Sequence, residues 1–141
     1  MPGEEPEVIK KVKGFTIIEI LVAIIIVSIL TALAVTQYTP ARERAVGREA
    51  VSTLRLIAAA ERIYRMEIGG FYPPNIQVTD PVAISDNLRI MLNENNWDYW
   101  LNSNGSNTFT ATSNRITGTG CLYTMNQDIG AEPVPYGNCP Q

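Results

Sequence analysis

The chain has 141 residues, with 11 basic and 14 acidic side chains for a net charge of −3, two cysteines and no histidine. Without histidine, a Ser-His-Asp triad, a Cys-His pair and a His-ligated zinc are excluded, and the acidic balance argues against a dedicated nucleic-acid binder. Much of the apolar content lies in one segment, and the remainder, rich in Asn and Thr, reads as one small soluble domain.

Residues 1–14, MPGEEPEVIKKVKG, form a short polar leader with Lys10, Lys11 and Lys13 at its end. From Ile20 to Ala41 there is no charged side chain, a run of 22 residues. As a helix it spans roughly 33 Å, about the thickness of a bilayer's hydrocarbon core. The lysines favour a cytoplasmic N-terminus, although Arg42, Arg44 and Arg48 follow on the far side. A conventional signal peptide, with Ala32-Leu33-Ala34 as its cleavage site, and a plain uncleaved signal anchor are the alternatives.

Glu19 is the sole charge inside the apolar stretch that Phe15 begins. A carboxylate at the centre of a membrane helix costs about 2.5–3.5 kcal/mol on insertion scales, and less near an end. It therefore needs a cation, and nothing in the apolar helix supplies one. The alternative is a side chain that snorkels to the interface. The string Lys13-Gly14-Phe15-Thr16-Ile17-Ile18-Glu19, followed by about twenty apolar residues, resembles the N-terminal signature of type IV pilins and of their relatives, the pseudopilins of type II secretion. The likeness is close through Tyr38, looser to Pro74 and only architectural beyond.

That resemblance implies an α+β fold, with a long N-terminal helix packed against a small antiparallel sheet. It implies cleavage between Gly14 and Phe15 by a prepilin peptidase, N-methylation of Phe15, and retention of the apolar helix. Glu19 would then pair with the new α-amine of a neighbouring Phe15 during assembly. The implied partners are the prepilin peptidase/N-methyltransferase, further copies of the chain in a helical homopolymer, and a pilus assembly platform in the inner membrane. The precursor would wait in that membrane before becoming an extracellular filament, or a periplasmic pseudopilus if the chain is a pseudopilin. Many members carry glycine where Ser28 stands and proline where Thr36 stands; here the first proline of the helix is Pro40.

The expected organisation is a leader at 1–14, a transmembrane or filament-core helix at 15–40, a stem helix at 41–68 and a head at 69–141. In the stem, Val46, Ala50, Leu54, Ile57, Tyr64 and Ile68 recur at helical spacing and predict a stripe that covers a sheet. Arg44, Arg48, Arg55 and Arg62 lie on another face, either solvated or paired with acidic heads of neighbouring subunits. The stem carries six Arg against four Glu, and the head two Arg against six acids. Gly69-Gly70 ends the helix.

In the head, residues 69–81 read as a loop, and Ser85 or Asp86 as the cap of a short helix ending near Asn93. Three antiparallel strands are expected at 97–102, 107–113 and 120–126, with Asn104-Gly105 in the first turn. Trp97, Tyr99, Trp100, Phe109 and Tyr123 belong to the sheet's core or flank. Cys121 and Cys139 are expected as a disulfide tying down the tail, with two free buried thiols as the alternative. Asp128 and Glu132 make a weak calcium signal, so neither metal nor cofactor is expected. An enzyme would need convergent acid and base groups, and the carboxylates are scattered. The resemblance implies a structural subunit, the major pilin of a type IV pilus, with adhesion, twitching motility and DNA uptake as tasks of that family and with pseudopilin and minor pilin as alternatives.

Overall fold

The structure is a computed structural model that describes residues 14–117, 120–128 and 132–139. The leader up to Lys13 lies outside the described residues. Seven elements follow in chain order: α1 (Ile17–Ile68), β1 (Gln77–Val78), α2 (Pro81–Leu88), β2 (Trp97–Ser103), β3 (Phe109–Arg115), β4 (Cys121–Asn126) and β5 (Val134–Gly137). The described residues up to Thr39 form one compact unit and those from Pro40 on another.

Every described residue of the first unit is exposed, including the apolar side chains from Ile17 to Val35. Three of its hydroxyls turn back onto their own helix. Ser28 donates to the Ile24 carbonyl at 2.6 Å, Thr31 to Val27 at 2.7 Å and Thr36 to Leu33 at 2.9 Å. Pro40, inside α1, has no amide hydrogen to give the Thr36 carbonyl.

In the second unit the sheet runs β1-β2-β3-β4-β5 with every neighbour antiparallel. Strand alternation sends Trp97, Tyr99 and Leu101, Phe109 and Ala111, and Cys121, Tyr123 and Met125 to the buried face. There they meet Val46, Ala50, Leu54, Ile57 and Ala58 of α1 in one core. The expected stripe therefore holds through Ile57, but Tyr64 is half-buried and Ile68 exposed. The helix-and-sheet arrangement is that of the type IV pilin fold.

Polar contacts fix the helix to the sheet, those of two sheet side chains among them. The Trp97 indole N–H donates to the Val46 carbonyl at 2.9 Å. Arg115, at the end of β3, forks onto both carboxylate oxygens of Glu43, one of them at 3.1 Å. That guanidinium holds the Glu43 carboxyl below its usual range.

Four expectations for the head are corrected. The short helix starts at Pro81, not after Ser85 or Asp86, because Asp80 caps it by accepting the Val82 amide at 3.0 Å and Pro81 suits its first turn. It ends at Leu88, short of Asn93, because Arg89 adopts a left-handed conformation. The loop at 69–81 contributes β1, and the tail contributes β5, so the sheet has five strands rather than three. Both additions are edges; Pro135 of β5 is tolerated there because an edge strand can leave one side unpaired.

The exit from α1 uses both glycines differently. Gly69 has φ +91°, the left-handed turn that stops the helix. At Gly70 a Cβ would sit 2.2 Å from the Gly105 carbonyl, so the β2–β3 hairpin needs a bare backbone there.

Cys121 and Cys139 form a disulfide with Cα atoms 4.7 Å apart. It ties the first residue of β4 to the segment beyond β5. Cys121→Ser is expected to lower unfolding free energy by about 3 kcal/mol, read by denaturant melts of the detergent-solubilised chain; an unchanged midpoint would show that β4–β5 pairing alone holds the tail.

Candidate assembly site

The site is built at the start of α1. Gly14, Phe15 and Thr16 precede the helix as exposed, irregular backbone, with Phe15 81% exposed. A Cβ on Gly14 would meet nothing within 4 Å among the described residues, and its φ is not positive. The fold therefore places no demand for glycine at this position.

Thr16 and Glu19 start the helix reciprocally. The Glu19 amide donates to Thr16 Oγ1 at 3.3 Å, and the Thr16 amide donates back to Glu19 Oε2 at 3.1 Å. The Thr16 hydroxyl also lies 3.1 Å from Oε2. This is a capping box, the Thr-x-x-Glu arrangement that satisfies two orphan amides at a helix N-terminus. A negative charge is also favoured at that end by the helix dipole. Sequence reasoning missed this role, although Thr-x-x-Glu before an apolar run is a readable signal for it. The carboxylate does have partners within its own chain, and they are neutral donors rather than a cation.

Glu19 is exposed, and its Oε1 makes no described hydrogen bond. A second bond from outside can therefore be accepted without undoing the cap. Behind it runs the apolar stretch whose hydroxyls are already satisfied. Among the described residues one helix, α1, is long and apolar enough to cross a membrane.

The other predicted positions are scattered. The Cys121–Cys139 bridge belongs to the far edge of the sheet. Glu132 pairs with Arg55, and the described residues hold no cluster of three or more potential metal ligands.

A second carboxylate went unnoticed in the sequence. Glu61 is fully buried in the stripe, four residues after Ile57. Its Oε2 accepts the Tyr72 amide at 3.0 Å, while Oε1 is buried without a partner among the described residues. Burial pushes its carboxyl up to about 7, against the lowering effect of the Tyr72 amide. The element it receives, Phe71–Pro73, carries the chain from α1 into the head.

A helix that opens on a capped glutamate and is long and apolar enough to cross a membrane, with a stem that a small antiparallel sheet covers, is the architecture of the type IV pilin fold. The family model for the prokaryotic N-terminal methylation motif, the prepilin signal of type IV pilins and pseudopilins, matches residues 9–35. The match covers the leader's end and the first part of α1, and it supports a likeness to type IV pilins and pseudopilins at that end of the chain. No curated protein and no solved structure matches the chain.

Proposed function

We propose that the chain is the major structural subunit of a type IV pilus. The precursor is anchored in the inner membrane, cut between Gly14 and Phe15, N-methylated on Phe15, and drawn into a helical surface homopolymer. In that polymer the apolar part of α1 forms the core and the sheet-bearing units the shell. Glu19 accepts the α-amine of a neighbouring Phe15. Adhesion, twitching motility and DNA uptake are the tasks such filaments perform.

The observation that carries this reading is the exposed Gly14-Phe15 linkage directly ahead of a capped apolar helix. A glycine that the fold does not need is best explained by an enzyme that does. Mass spectrometry of sheared surface filaments is expected to show a chain that begins at methylated Phe15. A chain beginning at Met1 overturns the proposal. Gly14→Val is expected to leave the leader attached while membrane insertion persists, since nothing packs against that position; a normally trimmed variant removes Gly14 from the recognised site. Electron microscopy of the same fraction separates a pilus, seen as long surface filaments, from the short periplasmic assembly of a pseudopilin.

A further inference from the structure

The second unit carries two surfaces of opposite character. The first is a groove of about 420 Å³ along α1, lined by Arg44, Arg48, Val51, Ser52 and Arg55 and walled by Tyr123 of β4. These helix positions recur at three- and four-residue intervals, so they share one face. Gly47 contributes no side chain, which leaves the floor low between the arginines. Arg55 already pairs with Glu132. Arg48 is exposed and makes no ion pair among the described residues, so it is the guanidinium the groove offers.

The second surface is the outer side of α2 and the segment after it. Val82 is 64% exposed and Met91 92% exposed, flanked by the carboxylates of Asp86 and Glu94. Neither acid makes an ion pair among the described residues. The nearest cation in sequence, Arg89, is turned to Glu67 at 3.6 Å. The patch therefore presents exposed apolar side chains between two negative charges, and the groove is an apolar floor beneath a positive rim.

We infer that the α2 patch of one copy docks into the α1 groove of another, with Asp86 and Glu94 facing the Arg48 rim and Met91 covered by the groove. The occupant is a second copy because the complementary surface is present on the chain itself, and the bias of charge between stem and head runs the same way. Two different patches that meet head to tail do not close a dimer. Each added copy exposes a fresh patch, so the contact repeats, closing into a ring or, where the rotation does not close, running on as an open helical array such as the proposed filament. Arginine suits such a contact because its planar fork pairs carboxylates bidentately. The inference rests on the filament reading above and assigns the residues that set its lateral contacts.

The test uses the full-length chain in a host that assembles it. One copy carries Ser52→Cys and the other Val82→Cys. A disulfide-linked dimer is expected only when the two are expressed together, and none with either alone. Separately, Arg48→Glu and Asp86→Arg are each expected to lower the yield of sheared filaments by about tenfold. Their combination in one chain is expected to recover most of that yield. Both side chains are exposed, and thermal melts of the variants check that the fold is kept. Absence of mixed dimers, or reversals that leave the yield untouched, overturns the inference and leaves the filament reading standing. An Arg48→Glu defect that Asp86→Arg does not rescue overturns it in favour of an anionic partner other than this chain. A wild-type chain that forms no filaments overturns the filament reading itself, and the inference with it.

Discussion

Glu19→Gln is expected to stop filament assembly while leaving the start of α1 intact. The amide oxygen of Gln still accepts the Thr16 amide, so the capping box survives, as Gln at this position permits. What is lost is the charge. A pair between this carboxylate and an N-terminal ammonium would form in surroundings of low dielectric, where losing one partner costs about 3–5 kcal/mol. That corresponds to a fall in assembly of about 100-fold or more. Glu19→Ala should do the same and also lose the cap, worth about 1 kcal/mol more at the helix start. The measurement is filament yield in sheared fractions, beside the amount of processed chain retained in the membrane. If Glu19→Gln assembles like the unaltered chain and only Glu19→Ala fails, Glu19 is a helix cap and the pairing reading is wrong.

Glu61→Gln is expected to remove most of the pH dependence of the second unit's stability. The Glu61 carboxyl titrates near 7 in the folded chain, against an ordinary value of 4.5. Its folded form binds the proton more tightly than the unfolded chain does. The associated stability is therefore fully present below 4.5, declines as pH rises, and is lost by the time pH has passed about 7. At about 1.4 kcal/mol for each tenfold change in proton affinity, the decline amounts to about 3 kcal/mol. Gln keeps an acceptor for the Tyr72 amide and carries no charge to bury. Melts of the detergent-solubilised chain at pH 5 and pH 8 should differ much less in the variant, and at pH 8 the variant should be the more stable. Glu43 works in the other direction: its carboxyl is held low by Arg115, so its contribution is lost as pH falls below the usual carboxylate range. Stability is thus expected to peak on the acidic side of neutrality. A flat profile for the unaltered chain would show that Glu61 finds a partner or water when ionised.

The features read correctly from sequence are those that depend on near neighbours along the chain. The 22-residue uncharged run, the stripe from Val46 to Ile57, and the alternation in WDYWLNS each follow from one periodicity. The misses depend on something else. Glu61 falls where the stripe would place an apolar residue, but its period says only that the position is buried. That a carboxylate is tolerated there follows from the Tyr72 amide, which the chain brings back 11 residues later. The edge strands β1 and β5 have no strong pattern of their own and exist through pairing with β2 and β4. Asp80-Pro81 is a legible helix start, a capping side chain followed by proline in the first turn, and it sits at the end of the segment that reads as a loop. The charge of Glu19 points to a cation, whereas its reach back to the Thr16 amide is carried by the Thr-x-x-Glu spacing.

In the proposed assembly, the inward-turned hydroxyls of Ser28, Thr31 and Thr36 have a consequence for how the segment travels. A helix that leaves lipid for the interior of a protein polymer exchanges one anhydrous medium for another. Any polar group that relied on a headgroup, a water or a neighbour would have to break that bond first. These three side chains bond only to carbonyls of their own helix, so they carry their solvation with them. From Ile20 to Val35 the apolar stretch is therefore chemically indifferent to which medium surrounds it. Its position is then decided at its boundaries, by what is offered to Glu19 at one end and by the folded unit that follows Pro40 at the other.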